Sequence, residues 1–283
     1  MTSENKWRGL ALIFGSAVAF SGMAIVIRLA QTVNPWHLAF TRFLTGALLV
    51  LILMRAGVFQ VRFNNVPWLL ARGGIGVIAT ALYFWTIYKI GIGVSSFLQY
   101  SYPIFATIFA VFILDQRMSR FRWMALAFAV VGLGLLLQPK LAQGAGTDFG
   151  IWEAAGLLGA VAAGFAVTAI GKLHRTDNTP SIFLVFSLSG VICMFPFVIY
   201  YPISSYGMLE WGYLGAVGLL GTAGQMLMTQ GYRFLNVSSA STLGLLSPVL
   251  NAFVAMFFMH EALPPVSLLG GMVILVSCAL ALR

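Results

Sequence analysis

Arg42, Gln99, Gln225 and Asn251 are the residues best placed to do chemistry in this chain, because each sits within a long apolar run. Bare guanidinium or amide groups are costly there, roughly 2–7 kcal/mol for an unpaired amide. Each must therefore find a partner, reach water or meet a ligand. Helical spacing gathers more polar side chains around them. Ser96, Gln99, Tyr100 and Pro103 fall at i, i+3, i+4 and i+7. Thr222, Gln225, Thr229 and Tyr232 form a second stripe, and Ala81, Trp85 and Tyr88 a third. Ser241, Gly244, Leu245 and Pro248 form a fourth, with Asn251 one turn on. Two readings stand side by side: the polar groups hold helices together by hydrogen bonds, or they line a wet path. Tyr83, Trp85, Tyr88 and Tyr100 also suit an aromatic belt at a membrane interface.

Arg42 lies a third of the way into its apolar segment, flanked by Phe40, Phe43 and Leu44. It either tethers backbone carbonyls of another segment or contacts an anion. The acids are distributed differently. Asp115, Asp148, Glu153, Asp177, Glu210 and Glu261 all fall at segment ends or in loops. A proton-driven carrier of cations needs an intramembrane carboxylate that exchanges a proton for its cargo. Strict proton coupling is therefore not expected, and a neutral or zwitterionic substrate is. Glu261 beside His260 is the nearest candidate for coupling; the competing reading is a charge at a helix end.

Other motifs carry less. Gly73-Gly74-Ile75-Gly76 and Gly218-Leu219-Leu220-Gly221 lack the Lys-Ser/Thr and the strand of a phosphate loop, and read as points of close helix approach. Cys193 and Cys278 lie in apolar segments without a partner at metal or redox spacing, and read as small core residues. No metal or cofactor site is expected. The net charge of +9 comes from Lys and Arg in ones and twos between apolar segments, which argues against nucleic-acid binding and for loops that orient membrane spans.

The elements that must position these residues follow from composition. With 60% hydrophobic and 8% charged residues, a chain of this size fits a multi-span membrane protein. Ten apolar segments of about 18–25 residues suit a hydrocarbon core of about 30 Å. They cover 9–30, 35–55, 67–88, 93–114, 120–138, 150–172, 180–201, 208–232, 237–259 and 264–282. Asn34-Pro35, Asn64-Asn65-Val66-Pro67, Gln138-Pro139-Lys140, Asp177-Asn178-Thr179-Pro180 and Leu263-Pro264-Pro265 separate them as turn or helix-start signals. The first segment runs on past Ala17-Val18-Ala19, so a retained span is expected rather than a cleaved signal. With the N-terminus in the cytoplasm, Lys6, Arg8, Arg55, Arg62, Arg72, Arg117, Arg120, Arg122, Lys172, Arg175, Arg233 and Arg283 fall on that side. Arg28, Lys89 and Lys140 fall on the other, which places both termini inside.

The chain is also written twice. Pro103 and Pro248 each open ten mostly apolar residues that end in a polar step. Tyr88-Lys89 recurs as Tyr232-Arg233, Ser95-Ser96 as Ser238-Ser239, Ala19-Phe20 as Gly164-Phe165, and Pro35 as Pro180. Halves of five spans must insert in opposite senses, the layout of a transporter whose site lies near the midplane between them. The expected fold is an all-α membrane protein of ten transmembrane helices, as two inverted five-helix repeats around a central cavity. The first repeat covers 1–140 and the second 141–283.

This arrangement resembles the drug/metabolite transporter superfamily of the EamA type. The resemblance rests on Val94–Met118 and Ser239–Leu263, on Phe40-Thr41-Arg42-Phe43, and on Gly132-Leu133-Gly134 and Gly270-Gly271. The acidic step aligns with Glu261 in the second repeat and with Gln116, beside Asp115, in the first. The resemblance implies an inner-membrane exporter of amino acids or other small metabolites. It implies a cavity lined by spans 1, 3, 4, 6, 8 and 9, with spans 5 and 10 peripheral. That adds Phe20 and Met23 of span 1 and Thr168 of span 6 to the lining, with Pro103 and Pro248 as hinges. It also commonly places an arginine at the position of Arg42. The expected partners are a small-molecule substrate and the bilayer, with monomer and homodimer both open. Competing functions are a proton-coupled multidrug or metabolite carrier using Glu261 and His260, a membrane-embedded enzyme, and an assembly subunit. No His-x-x-Glu-His or similar motif supports the enzyme.

Overall fold

The structure is a computed structural model that describes residues 3–144, 150–201, 206–258 and 264–282. Among these residues every regular element is a helix. In order they are α1 (Ser3–Leu29), α2 (Pro35–Arg55), α3 (Val66–Tyr100), α4 (Tyr102–Leu114), α5 (Arg120–Gly144) and α6 (Ile151–Leu173). There follow α7 (Thr179–Tyr200), α8 (Met208–Phe234), α9 (Val237–Leu243), α10 (Leu246–Phe258) and α11 (Pro265–Ala281). Helices satisfy every backbone group within one segment, as a lipid environment requires. Among the described residues eight stretches are long and apolar enough to cross a membrane. The α8 helix is 27 residues long but carries the polar Thr222 stripe, and apolar α11 has 17 residues.

The start signals behave as their chemistry requires. Asn34 and Asn178 cap α2 and α7 by accepting from the backbone N–H groups of Trp36 and Ser181, each with proline in the first turn. Glu153 and Glu210 accept from Gly150 N and Gly207 N at 2.9 and 3.0 Å, closing the first turns of α6 and α8. Asp115 ends α4 in the left-handed region at φ 54, which Asp tolerates better than most residues.

The 35 residues of α3 would span about 52 Å if straight. They do not run straight. Tyr83 Oη lies 3.1 Å from Ser96 Oγ, thirteen residues on, and Ala79 and Gln99 both flank Gly159 of α6. The chain therefore doubles back between Tyr83 and Ser96, leaving two apolar arms, Val66–Ile87 and Val94–Leu114.

The second arm is itself broken at Ser101, where α3 gives way to α4. Its counterpart breaks at Gly244 and Leu245, between α9 and α10. Both breaks lie just ahead of a proline, Pro103 and Pro248. A proline has no N–H for the carbonyl four residues back and crowds it, so the helix opens there.

Packing pairs α1 with α8 and α6 with α3, α2 with α8 and α7 with α3, and α1 with α10 and α6 with α4. It also pairs α2 with α7, and α5 with α11. Exchanging α1 with α6, α2 with α7, α3 with α8, α4 with α10 and α5 with α11 leaves this set unchanged. In the α5–α11 pair, Gly132 and Gly270 bring the two backbones together, and a side chain on either would strike the other helix. Loops expected on one side meet one another. Asn64 N donates to Asp177 Oδ1 at 2.8 Å, and Asn178 Nδ2 donates to Gln60 O at 2.5 Å. At the other end Asn34 N donates to Tyr206 Oη at 3.0 Å, and Thr32 Oγ1 donates to Glu210 Oε1 at 3.1 Å.

Two expectations are corrected. Cys193 is exposed on α7, whereas Cys278 is buried. Apolar neighbours do not separate a core face from a lipid-facing one. Arg72, expected among charges at a span end, is 3% exposed. Because α3 begins at Val66, Arg72 sits about 9 Å inside the helix, against α7.

Candidate functional site

Arg42 organises the first group of candidate residues. Proline at the start of α2 sets the helix, and Arg42 lies two turns in, facing α1 and α8. Its Nη2 donates to Gln225 Oε1 at 3.1 Å. The guanidinium lies 5.5 Å from the Phe20 ring centroid and 5.9 Å from that of Phe43. Such contacts contribute roughly 0.5–2 kcal/mol each when desolvated. Glycines of α8 make room for it. A Cβ at Gly221 would lie 2.8 Å from Arg42 Cγ and 3.0 Å from Met23 Sδ, and one at Gly224 would lie 2.9 Å from the Phe20 ring. Phe20, Met23, Arg42 and Gln225 therefore meet on α1, α2 and α8. In the sequence they are distant from one another.

A second group forms on the folded-back α3 against α6. Tyr83 Oη pairs with Ser96 Oγ, and Tyr100 follows Ser96 by one helical turn. Gln99 Oε1 approaches Gly159 and is buried without a protein partner. Trp68 stacks on Phe165 at 5.8 Å, and Lys172 Nζ lies over Trp68.

Other candidates are placed apart. Thr168 Oγ1 donates to Ala106 O at 3.2 Å and to Gly164 O at 2.9 Å, tying α6 to α4. Thr229 Oγ1 donates back to Gln225 O at 2.7 Å. Asn251 is on α10, its Oδ1 buried without a partner. Trp85 is 47% exposed, while its neighbour Phe84 joins Trp36, which stacks on Phe197 at 4.3 Å. Pro103 and Pro248 sit one to two residues inside the helices that follow the two breaks. The Tyr88 side chain, His260 and Glu261 lie outside the described residues.

Three features were not legible as site residues. Arg72 lies over the Phe186 ring, 4.2 Å from its centroid, with Nε buried and unpartnered. Tyr102 Oη donates to Ser241 O at 3.3 Å across the two broken spans. His37 bridges Tyr206 Oη at 2.6 Å and Tyr201 O at 2.5 Å, beside a recess of about 580 Å³ lined by Gln31, Asn34, Tyr200 and neighbours. Only the pairing partners would have marked these residues, and those come from distant helices. Among the described residues no group of His, Cys, Asp and Glu could hold a metal ion.

Comparison with known proteins agrees with this architecture. The sequence profile of the EamA-like transporter family matches the chain twice, over residues 7–138 and 150–283. The chain is 27% identical to the pseudopaline exporter CntI of Pseudomonas aeruginosa over 271 residues, 95% of this chain and 94% of that one. It is 21% identical to an uncharacterized transporter of Helicobacter pylori, covering 85% of this chain and 81% of that protein. A crystal structure 19% identical in sequence has the same fold, with a TM-score of 0.81 over 99% of both chains.

Proposed function

The chain belongs to the EamA-like transporter family, and on that premise we propose that it exports a small metabolite such as an amino acid by alternating access. It is a multi-pass membrane transporter rather than an enzyme, as its family and its exporter relative indicate. The observation that carries the reading is a set of buried polar atoms without protein partners on three apolar elements. They are Gln99 Oε1 in α3, Thr222 Oγ1 in α8 and Asn251 Oδ1 in α10. Folded proteins leave few such groups bare. Their recurrence on both broken spans suits a path that a polar ligand completes.

In this reading ten spans cross the bacterial inner membrane as two inverted halves, 1–140 and 141–283, with both termini cytoplasmic. The two family matches and the exchangeable helix pairings support two equivalent halves. The Lys and Arg distribution supports the orientation. Pro103 and Pro248 serve as hinges between the rocking halves. Phe20, Met23, Tyr83, Ser96, Gln99, Tyr100, Gln225 and Asn251 contact the substrate. Trp85, Tyr88, Thr168 and Thr229 complete the lining. Arg42, held by Gln225, receives the carboxylate. The acids sit at the ends of the apolar spans or in loops rather than in their interior, so transport is not strictly coupled to protons.

The test is flux of labelled amino acids through purified protein in liposomes, with and without a pH gradient. Flux down the substrate's own gradient is expected without an imposed pH difference, and Glu261→Gln is expected to keep most of it. No flux of any amino acid would refute the substrate reading. Flux that requires the gradient would refute uncoupled transport and give Glu261 and His260 the coupling role.

A further inference from the structure

Two arginines lie inside the bundle, Arg72 buried and Arg42 half-buried, and the inventory of charges around them is one-sided. Arg42 has one neutral partner, Gln225 Oε1, and the faces of Phe20 and Phe43. Arg72 is 3% exposed, covers the Phe186 ring and has an unpartnered, buried Nε. The rings link it to Arg42: Phe186 meets Phe43 edge-on with centroids 5.3 Å apart, and Phe43 lies beneath the Arg42 guanidinium. Among the described residues no carboxylate pairs with either guanidinium. The acids nearest in sequence to the interior are committed elsewhere. Glu153 and Glu210 close helix starts, and Asp177 accepts from Asn64 N and Thr176 Oγ1.

Arginine keeps its charge in proteins. A desolvated charge needs a counter-charge or hydrogen-bonding partners, and ring faces compensate only in part. Two like charges in range of each other raise the cost further. The Phe43–Phe186 ring pair lies between them, and a buried face of α8 runs beside Arg42. Thr222, Gln225, Thr229 and Tyr232 are all buried in that stripe, with Arg42 held at Gln225. Thr222 Oγ1, one turn beyond Gln225, has no partner.

We propose that Arg42 and Arg72 form one anion site on either side of the Phe43–Phe186 ring pair, and that the substrate class is a small molecule with two carboxylates spaced to reach both guanidiniums. The proposal rests on the transporter reading above and narrows its substrate. Arg42 receives one carboxylate with Gln225 held alongside. Arg72 Nε–H and its neighbouring N–H groups receive the other, in the fork geometry that suits a carboxylate.

The experiment measures binding to purified protein in a neutral detergent by the shift in thermal unfolding. The probes are succinate, adipate and suberate, each against its diamide, with butyrate as the monocarboxylate and sodium chloride at matched ionic strength. On the unaltered protein, at least one dicarboxylate is expected to bind tenfold or more tightly than its diamide and than butyrate. Arg42→Gln and Arg72→Gln are each expected to weaken it tenfold or more, and Arg72→Lys less. If Arg72→Gln does not fold, the unaltered protein and Arg72→Lys decide. Diamides that bind as well as the diacids would overturn the site. So would chloride reproducing the whole shift, or a folded Arg72→Gln variant that binds as the parent does. Flux in liposomes separates the two readings. Dicarboxylate binding with no flux of any substrate sinks the transporter reading and keeps the site. Amino-acid flux unchanged by Arg72→Gln, with no dicarboxylate binding, does the reverse.

Discussion

The two broken spans share a backbone device and fill it differently. Each opens just ahead of a proline, at Ser101 before Pro103 and at Gly244 and Leu245 before Pro248. In the first, Ser101 Oγ donates to Leu98 O at 2.5 Å, the carbonyl that also accepts from Ser101 N at 3.1 Å. In the second, glycine holds the break, and its φ of −59 suits any residue. Space explains that glycine. A Cβ on Gly244 would fall inside contact distance of Tyr102 Oη, from the opposite half. The prolines set where each span must break; the neighbouring broken span decides which residue can stand there.

Gly244→Ala is expected to destabilise the protein most. Crowding against the Tyr102 hydroxyl is expected to cost about 1–3 kcal/mol. Thermal unfolding in detergent would show it, and Tyr102→Phe in the same protein should recover a substantial part. Non-additivity of the pair is the signature of direct contact. A neutral Gly244→Ala, or no recovery, means that space does not explain the glycine. Ser101→Ala has no such clash to relieve and serves as the control in the other half.

A smaller effect sharpens the comparison at the two unpartnered amides, Gln99 and Asn251. Gln99→Met and Asn251→Leu keep volume while removing a buried, unsatisfied oxygen, so thermal stability is expected to hold or rise. Substrate affinity is expected to fall about two- to tenfold, the loss of a hydrogen bond of roughly 0.5–1.5 kcal/mol. Loss in one variant only would show that the halves contribute unequally. Lost stability with unchanged affinity would make both amides structural.

The smallest effect is a pH dependence at the seam between α6 and α8. His174 follows α6, and because a carbonyl only accepts, its Nε2–H donates to Thr229 O at 2.7 Å. Burial lowers its pKa from the ordinary 6.5, the hydrogen bond to Thr229 opposes this, and the charge of Arg233 adds to the lowering. The unfolded chain therefore takes up the proton first. The stability associated with neutral His174 is complete above about pH 6.5 and is lost as pH falls from there through the depressed folded value. Unfolding midpoints from pH 8 to 5 should drop less in His174→Gln than in the parent. Equal slopes would remove His174 from the account.

Much of the architecture was legible in the chain itself. Long apolar stretches between Asn-Pro and Pro-Pro signals required helices that cross a membrane, because no other open structure satisfies its backbone in lipid. Pro103 and Pro248 required breaks, and the segregation of acids to helix ends was visible in their positions. The polar stripe of α8 was likewise a matter of spacing along one helix, and all four of its members are buried. Contacts made across helices were decided only by the tertiary structure. It turned Cys193 outward and joined Arg42 to Gln225 across 183 residues. It also buried Arg72 under α7 beside Phe186. The physical reason is common to all three. Lipid and protein core are both apolar, so hydropathy along one helix does not say which face meets a neighbour. A polar group's meaning depends on partners that the fold brings from distant segments.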